Sequence, residues 1–200
     1  QRERYRQLTA EMSDLSVRFS QNLTNDMKNP SRRLWLNATE VQGMPQTAID
    51  AAREEAKATL EAEGKADDGS YLFTVFAPSY SPFMKYMPNR ELRRKMYMLY
   101  NTRNVGGAFD NTQILKDMAN IRLELANMFG KANYAEYALE RRMSKNPQNV
   151  YNMLDQMREA YYPAMQAELA EIEAYARQTE GENFKLEAWD WSFYSEKLRS

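Results

Sequence analysis

The sequence predicts a mainly α protein, a multi-helix, bundle-like domain with one small two-stranded β element at about 33–37 and 71–76. Three observations predict it. Apolar residues recur at intervals of three and four along most of the chain, which gathers them on one face of a helix. Breakers are scarce, with 7 Gly and 7 Pro in 200 residues. Hydrophobic residues make up 43% and charged residues 28%, the balance of a folded, charge-rich helical protein. A chain of this length can bury a real core, so residues 1–200 read as a single helical domain.

The first helix carries Tyr5, Leu8, Met12, Leu15 and Phe19 as its apolar stripe, and the turn-forming cluster Asn25 to Pro30 is expected to end it. The run Arg33 to Asn37 and the aromatic, β-branched run Tyr71 to Phe76 fit strands, with Pro78 closing the second. Between them a helix starts near Pro45, where proline suits a first turn, and runs to about Glu63. Residues 64–69 form a loop. After Pro78 one or two helical turns are expected. Asn89 caps the next helix, which buries Leu92, Met96 and Leu99 and ends by Asn104 before Gly106-Gly107. Asp110 caps a helix bearing Ile114, Met118, Ile121, Leu125 and Met128, which Gly130 stops. A shorter helix runs from Asn133 to about Met143.

The longest helix begins at Pro147 and carries one stripe through Val150, Leu154, Met157, Tyr161, Met165, Leu169, Ile172 and Ala176. Pro163 lies inside it, so a kink or a break into two stacked helices is expected. Gly181 stops it, and Ala188 to Arg199 forms a last helix rich in Trp and Tyr.

Composition restricts the chemistry. The chain has no histidine and no cysteine. It therefore cannot carry a Ser-His-Asp triad, a thiol nucleophile or a complete zinc site of the usual donors. The formal net charge is −1. The basic clusters Arg93-Arg94-Lys95 and Arg141-Arg142 have acidic neighbours and read as solvated helix faces, so no nucleic-acid partner is expected. No run of about 18 apolar residues exists, so no membrane partner is expected. The chain begins with Gln1 in what reads as mid-helix, which points to a processed or truncated start.

The remaining motifs are weak. Ser144-Lys145 could form a dyad in principle, but adjacent helical side chains diverge by about 100°. Glu136 and Glu140 lie four apart, and Glu168 and Glu171 three apart. Carboxylate-bridged metal sites use such spacings together with a histidine that is missing here, so surface carboxylates are the reading. Asp67-Asp68-Gly69 is too short for a calcium loop, and no phosphate loop is present. Most of the 13 Met fall on the apolar stripes. Tyr80, Tyr86, Tyr97, Tyr100, Tyr134, Tyr137, Tyr161, Tyr162 and Tyr194 are too many to bury entirely, which leaves some to line a cleft where a hydroxyl can grip a peptide backbone.

One resemblance covers nearly the whole chain. Leu15 to Leu23 and Gly43-Met44-Pro45 come first. Ala77-Pro78-Ser79-Tyr80-Ser81-Pro82-Phe83-Met84-Lys85-Tyr86 leads to Asn89-Arg90-Glu91-Leu92-Arg93, then Tyr97 and Tyr100-Asn101-Thr102-Arg103. Asp110-Asn111, the helix around Ile121 to Ala126, and Asn133 to Tyr137 follow. Trp189-Asp190, Tyr194 and Lys197 complete the order. This succession resembles the thimet oligopeptidase and bacterial peptidyl-dipeptidase family of zinc metallopeptidases, with the peptidyl-dipeptidase branch nearer.

The resemblance implies a mostly helical, two-lobed protein with a deep channel for short, unstructured peptides. It implies zinc held by a His-Glu-x-x-His helix and a later Glu, C-terminal to the Trp-Asp…Tyr…Lys stretch. No residue of this chain matches those ligands, so no catalytic or metal residue is assigned and channel residues stay unassigned. The expectation is a non-catalytic fragment of such a peptidase, part of one lobe and one wall of the channel, with no cofactor in this chain and zinc in the parent. Its partners would be the remainder of the parent and, for the parent, short peptides. Its cut surface would be unusually apolar, and a homodimer through that surface is the further expectation. Cytoplasmic and periplasmic locations stay open. An independent helical scaffold or interaction module without catalysis is the competing reading.

Overall fold

The computed structural model describes residues 1–199. Among them are eight α-helices, one 3-10 turn and one two-stranded sheet. The helices are α1 (Arg2–Lys28), α2 (Gln46–Ala62), α3 (Ala77–Tyr86), α4 (Arg90–Asn101), α5 (Thr112–Met128), α6 (Tyr134–Leu139), α7 (Pro147–Glu180) and α8 (Trp191–Arg199). The strands β1 (Leu34–Leu36) and β2 (Tyr71–Phe73) pair antiparallel, with Leu34 opposite Phe73 and Leu36 opposite Tyr71. The mainly α architecture with one small β element is the one the periodicity predicts. The chain divides into two compact units, residues 1–25 with 104–168, and residues 26–103 with 169–200.

In the first unit the stripes of α1 and α5 meet. Leu8 and Leu15 pack on Ile114, Ile121 and Leu125, with Met12, Phe19, Met118 and Met128 around them. Seven-residue spacing on both helices keeps one contact face aligned over two turns. The N-cap of α5 is Asn111 and not Asp110, which accepts the Thr112 N–H at 2.7 Å in a turn just ahead of the helix. Asn111 is buried and ties the start of α5 to α1, donating to the Phe19 carbonyl at 3.1 Å and accepting from Asn22 at 2.9 Å. Asn133 accepts the Glu136 N–H at 3.0 Å while Glu136 accepts the Ala132 N–H at 3.2 Å, a reciprocal cap on α6.

The second unit holds the largest apolar cluster. Leu36, Val41, Met44, Phe73, Val75, Phe83, Met84, Met87, Leu92 and Met96 fill it. Ala52, Ala56 and Leu60 are the buried face of α2, and small side chains there let α2 lie close on β2. A 3-10 turn over residues 30–32 brings Arg32 under the C-terminal end of α4. Its guanidinium donates to the carbonyls of Leu99 and Thr102 and pairs with Asp26 at 2.9 Å. A cation there satisfies last-turn carbonyls and opposes the helix dipole.

Gly43 must be glycine. Its φ is +85°, and a Cβ would lie 2.7 Å from Pro88 Cγ. Gly43→Ala is expected to cost about 1–3 kcal/mol, from left-handed strain plus a contact that Pro88 can relieve only by moving the start of α4. Urea unfolding of the variant against the parent sequence measures it, and an unchanged midpoint would contradict it.

Several boundaries differ from the sequence expectation. α1 runs through Asn25 to Lys28 because the stop is Pro30, which disfavours the helical region at Asn29, where ψ is 136°. β1 covers 34–36 instead of 33–37. β2 ends at Phe73, short of Phe76, because the Thr74 N–H donates to Ser79 Oγ at 3.0 Å and leaves the ladder. Pro78 does not close the strand; it sits in the first turn of α3, where its missing N–H costs nothing. That helix has ten residues, more than the one or two turns expected. α4 ends at Asn101, short of Asn104, whose φ is 57°. α6 stops at Leu139, short of Met143, and α8 begins at Trp191 instead of Ala188. α7 is continuous through Pro163 for 34 residues, with no break into two helices.

Candidate functional site

The stretch Trp189-Asp190…Tyr194…Lys197 is built around one buried carboxylate. Asp190 is 0% exposed. It accepts from Arg90 Nη2 at 2.7 Å, Arg93 Nη2 at 2.9 Å and the Glu187 N–H at 3.1 Å. Both arginines come from the first turn of α4, which Asn89 caps by accepting the Leu92 N–H at 3.2 Å. A three-residue separation puts the two guanidinium groups on one face.

Aromatic rings enclose the cluster. The Arg90 guanidinium lies 4.5 Å from the Phe184 ring centre, and that of Arg93 lies 4.1 Å from Phe193. Arg93 is 1% exposed and also donates to the carbonyls of Met87 and Pro88, both at 2.9 Å. Burial alone would raise the Asp190 carboxyl. The bonds from Arg90 and Arg93 and the Glu187 N–H outweigh it and hold the group below the usual carboxylate range. Burial, and then hydrogen bonding to Glu180 at 2.9 Å, push the Tyr194 phenol far above its ordinary value. Neither group is suited to move a proton near neutrality. The cluster is an anchor between α4 and the start of α8.

Beside the anchor lies an open cleft of about 440 Å³. Tyr80 and Met84 from α3, Tyr97 from α4 and Trp191 and Ser192 from α8 line it. Tyr80 stacks on Tyr100 with ring centres 4.0 Å apart, and Trp189 meets Tyr97 edge-on at 6.1 Å. Burial raises the Tyr80 phenol first, with its tyrosine neighbours adding to that, so it is a neutral donor. The cleft offers aromatic faces and a few hydroxyls, which suits an apolar side chain flanked by peptide carbonyls. It contains no paired nucleophile and base.

The tyrosines singled out in the sequence separate. Tyr80, Tyr97 and Tyr100 come together at the cleft. Tyr86 donates to Glu196 at 3.0 Å. Tyr134 and Tyr137 join Phe129 in the first unit. Tyr161 and Tyr162 stand exposed on α7, and Tyr194 is buried. Glu136 is spent on the α6 cap, and Glu140 pairs with Lys131 at 3.3 Å. Glu168 and Glu171 are exposed. The Ser144 carbonyl accepts from Asn146 and Asn149, and Lys145 has φ 67°, so the pair lies in a turn and not on a helix. Asp67 pairs with Arg53, and Asp68 accepts the Ser70 N–H. Among the described residues no three acidic side chains converge on a metal-sized site. With no imidazole or thiolate to add, the donor set does not fit zinc. No described helix is long and apolar enough to cross a membrane.

Sequence reasoning missed Arg32 and the pairing of Arg90 and Arg93 with Asp190. Their partners lie as many as 100 residues away, and no local pattern signals so distant a pairing.

Comparison with known proteins follows the same segments. The family model described as peptidase family M3 matches residues 83–200. Oligopeptidase A of Haemophilus influenzae is 36% identical over 98% of this chain, which covers 28% of that protein. Oligopeptidase A of Escherichia coli is 34% identical with the same coverage. Dipeptidyl carboxypeptidase of Escherichia coli is 28% identical over 96% of this chain and 27% of its own length. The chain thus spans little more than a quarter of these relatives.

Proposed function

This chain belongs to peptidase family M3, and from that premise we propose that it is a non-catalytic part of a zinc metallopeptidase that hydrolyses short oligopeptides. The reading is oligopeptidase A-like, because the oligopeptidase A relatives match more strongly than dipeptidyl carboxypeptidase, where the sequence pattern pointed to the peptidyl-dipeptidase branch. This chain would contribute one wall of the substrate channel within one lobe of the parent. The observation that carries it is the match to oligopeptidase A across 98% of this chain. The cleft formed by Tyr80, Tyr97 and Trp191 supports the wall role, because aromatic faces beside hydroxyls suit an extended peptide.

Zinc in the parent would polarise the scissile carbonyl and activate a water. Its ligands would come from a His-Glu-x-x-His helix outside these residues. The role of this chain is then to bind and orient peptide while the anchor at Asp190 keeps the wall rigid. The 200-residue chain is expected to retain no stoichiometric zinc and to release no product from a quenched fluorescent peptide. In the longer protein, Trp191→Ala or Tyr97→Phe is expected to raise KM for that peptide by several-fold with little change in kcat, as loss of uniform binding does. Hydrolysis by the 200-residue chain overturns the non-catalytic role. Unchanged KM in both variants overturns the wall role.

A further inference from the structure

Helix α7 over residues 151–168 has two unlike faces, both exposed. Every side chain from Tyr151 to Glu168 is exposed. Leu154 is 48% exposed, Met157 49%, Tyr161 67% and Met165 46%. At 100° per residue these four and Val150 fall within an arc of about 80°, and Met153 extends it to about 120°. The opposite arc carries Asn152, Asp155, Gln156, Glu159 and Gln166. Only Asp155, Arg158 and Glu159 are charged between Pro147 and Ala167.

A solvated helix would show polar residues all round, and a helix at the centre of a core would be apolar all round. This one has a single seam with spacings of four, three, four and four from Val150 to Met165. That pattern fits against the ridge of one neighbouring helix. Helices of globular proteins take most of their stability from packing such a face.

We propose that the seam Val150–Met165 docks an amphipathic helix supplied by the same polypeptide outside residues 1–200, while the Asn152–Gln156–Glu159 face stays in water. The proposal rests on the family reading. More than two thirds of each oligopeptidase A relative lies outside the matched region, which is ample chain to provide the partner helix.

Hydrogen exchange on residues 147–168, read in the 200-residue chain and in the longer natural protein, tests it. Amides 150–165 are expected to exchange about 100-fold more slowly in the longer protein, as a docked helix joins a cooperative unit. There Leu154→Glu is expected to lower the melting temperature by several degrees and Asn152→Glu to leave it unchanged. Equal exchange in the two proteins overturns the proposal, as does equal damage from both faces. Slow exchange already present in the 200-residue chain, with sedimentation showing a dimer that Leu154→Glu dissociates, assigns the seam to a second copy and also overturns it. Peptide hydrolysis is scored separately. An active longer protein with a fast-exchanging seam sinks the docking alone, and a protected seam in an inactive one sinks the enzymatic reading alone.

Discussion

Asp190→Ala is expected to destabilise the second unit by about 3–5 kcal/mol, the cost of leaving a buried charge without its partner. Arg93 is the reason for so large an effect. It is 1% exposed and has no other anion within bonding distance in the ion pairs formed here. Arg90 is 39% exposed at its side chain and can turn to water. With natural stability near 5–15 kcal/mol, such a loss leaves little of the unit folded. The three tryptophans, Trp35, Trp189 and Trp191, all lie in this unit, so urea unfolding followed by tryptophan fluorescence reads it directly. Asp190→Asn keeps some hydrogen bonds and should lose less. A double replacement, Asp190→Leu with Arg93→Met, should recover much of the loss, because an apolar pair removes both desolvation penalties. A midpoint unchanged in Asp190→Ala would show that the ion cluster contributes nothing.

The same carboxylate sets the acid limit. Its folded pKa lies below its unfolded value, so the unfolded chain binds the proton more readily. The stabilisation is present above the unfolded value of about 3.9 and is lost as pH falls from there through the lower folded value. Acid unfolding read by tryptophan fluorescence should therefore begin below about pH 4. In Asp190→Asn the stability should fall less steeply over that window.

Phe83→Ala should cost about 3–5 kcal/mol for a different reason. Phe83 is 0% exposed and meets Phe73 edge-on with ring centres 4.8 Å apart. It fills the space where α3, β2 and α4 converge on Met87, Leu92 and Met96. Removing the ring leaves a cavity that one strand and two helices would all have to move to close. Phe83→Leu should retain more than half of the stability. If Phe83→Ala melts within a degree of the parent sequence, this site is not the centre of the core.

The periodic stripes of α1, α4 and α5 were legible because their central residues, Leu8, Leu15, Leu92, Met96, Ile114 and Ile121, are buried, so pattern and packing agree there. Caps were legible too. Asn89 and Asn133 each accept the N–H their position calls for, whereas the cap of α5 is Asn111, one residue past the Asp110 expected there. Strand ends and α3 were not. Ser79 Oγ takes the Thr74 N–H from outside the strand, and proline reads equally well as a strand stop or a helix start.

The candidate site divides in the same way. The absence of histidine and cysteine, visible in composition alone, fixes which chemistry this chain cannot perform, because no arrangement supplies a missing donor. The apolar seam of α7 was visible as well, since spacing defines a face before anything covers it. Only the tertiary structure decided that Asp190 is the hub of the Trp-Asp…Tyr…Lys stretch, that Tyr80, Tyr97 and Trp191 share a cleft, and that the α7 seam lies open. The reason is physical. Helical periodicity is a property of neighbours three and four residues apart. The Arg93–Asp190 pair joins positions 97 residues apart, a contact set by where whole elements pack.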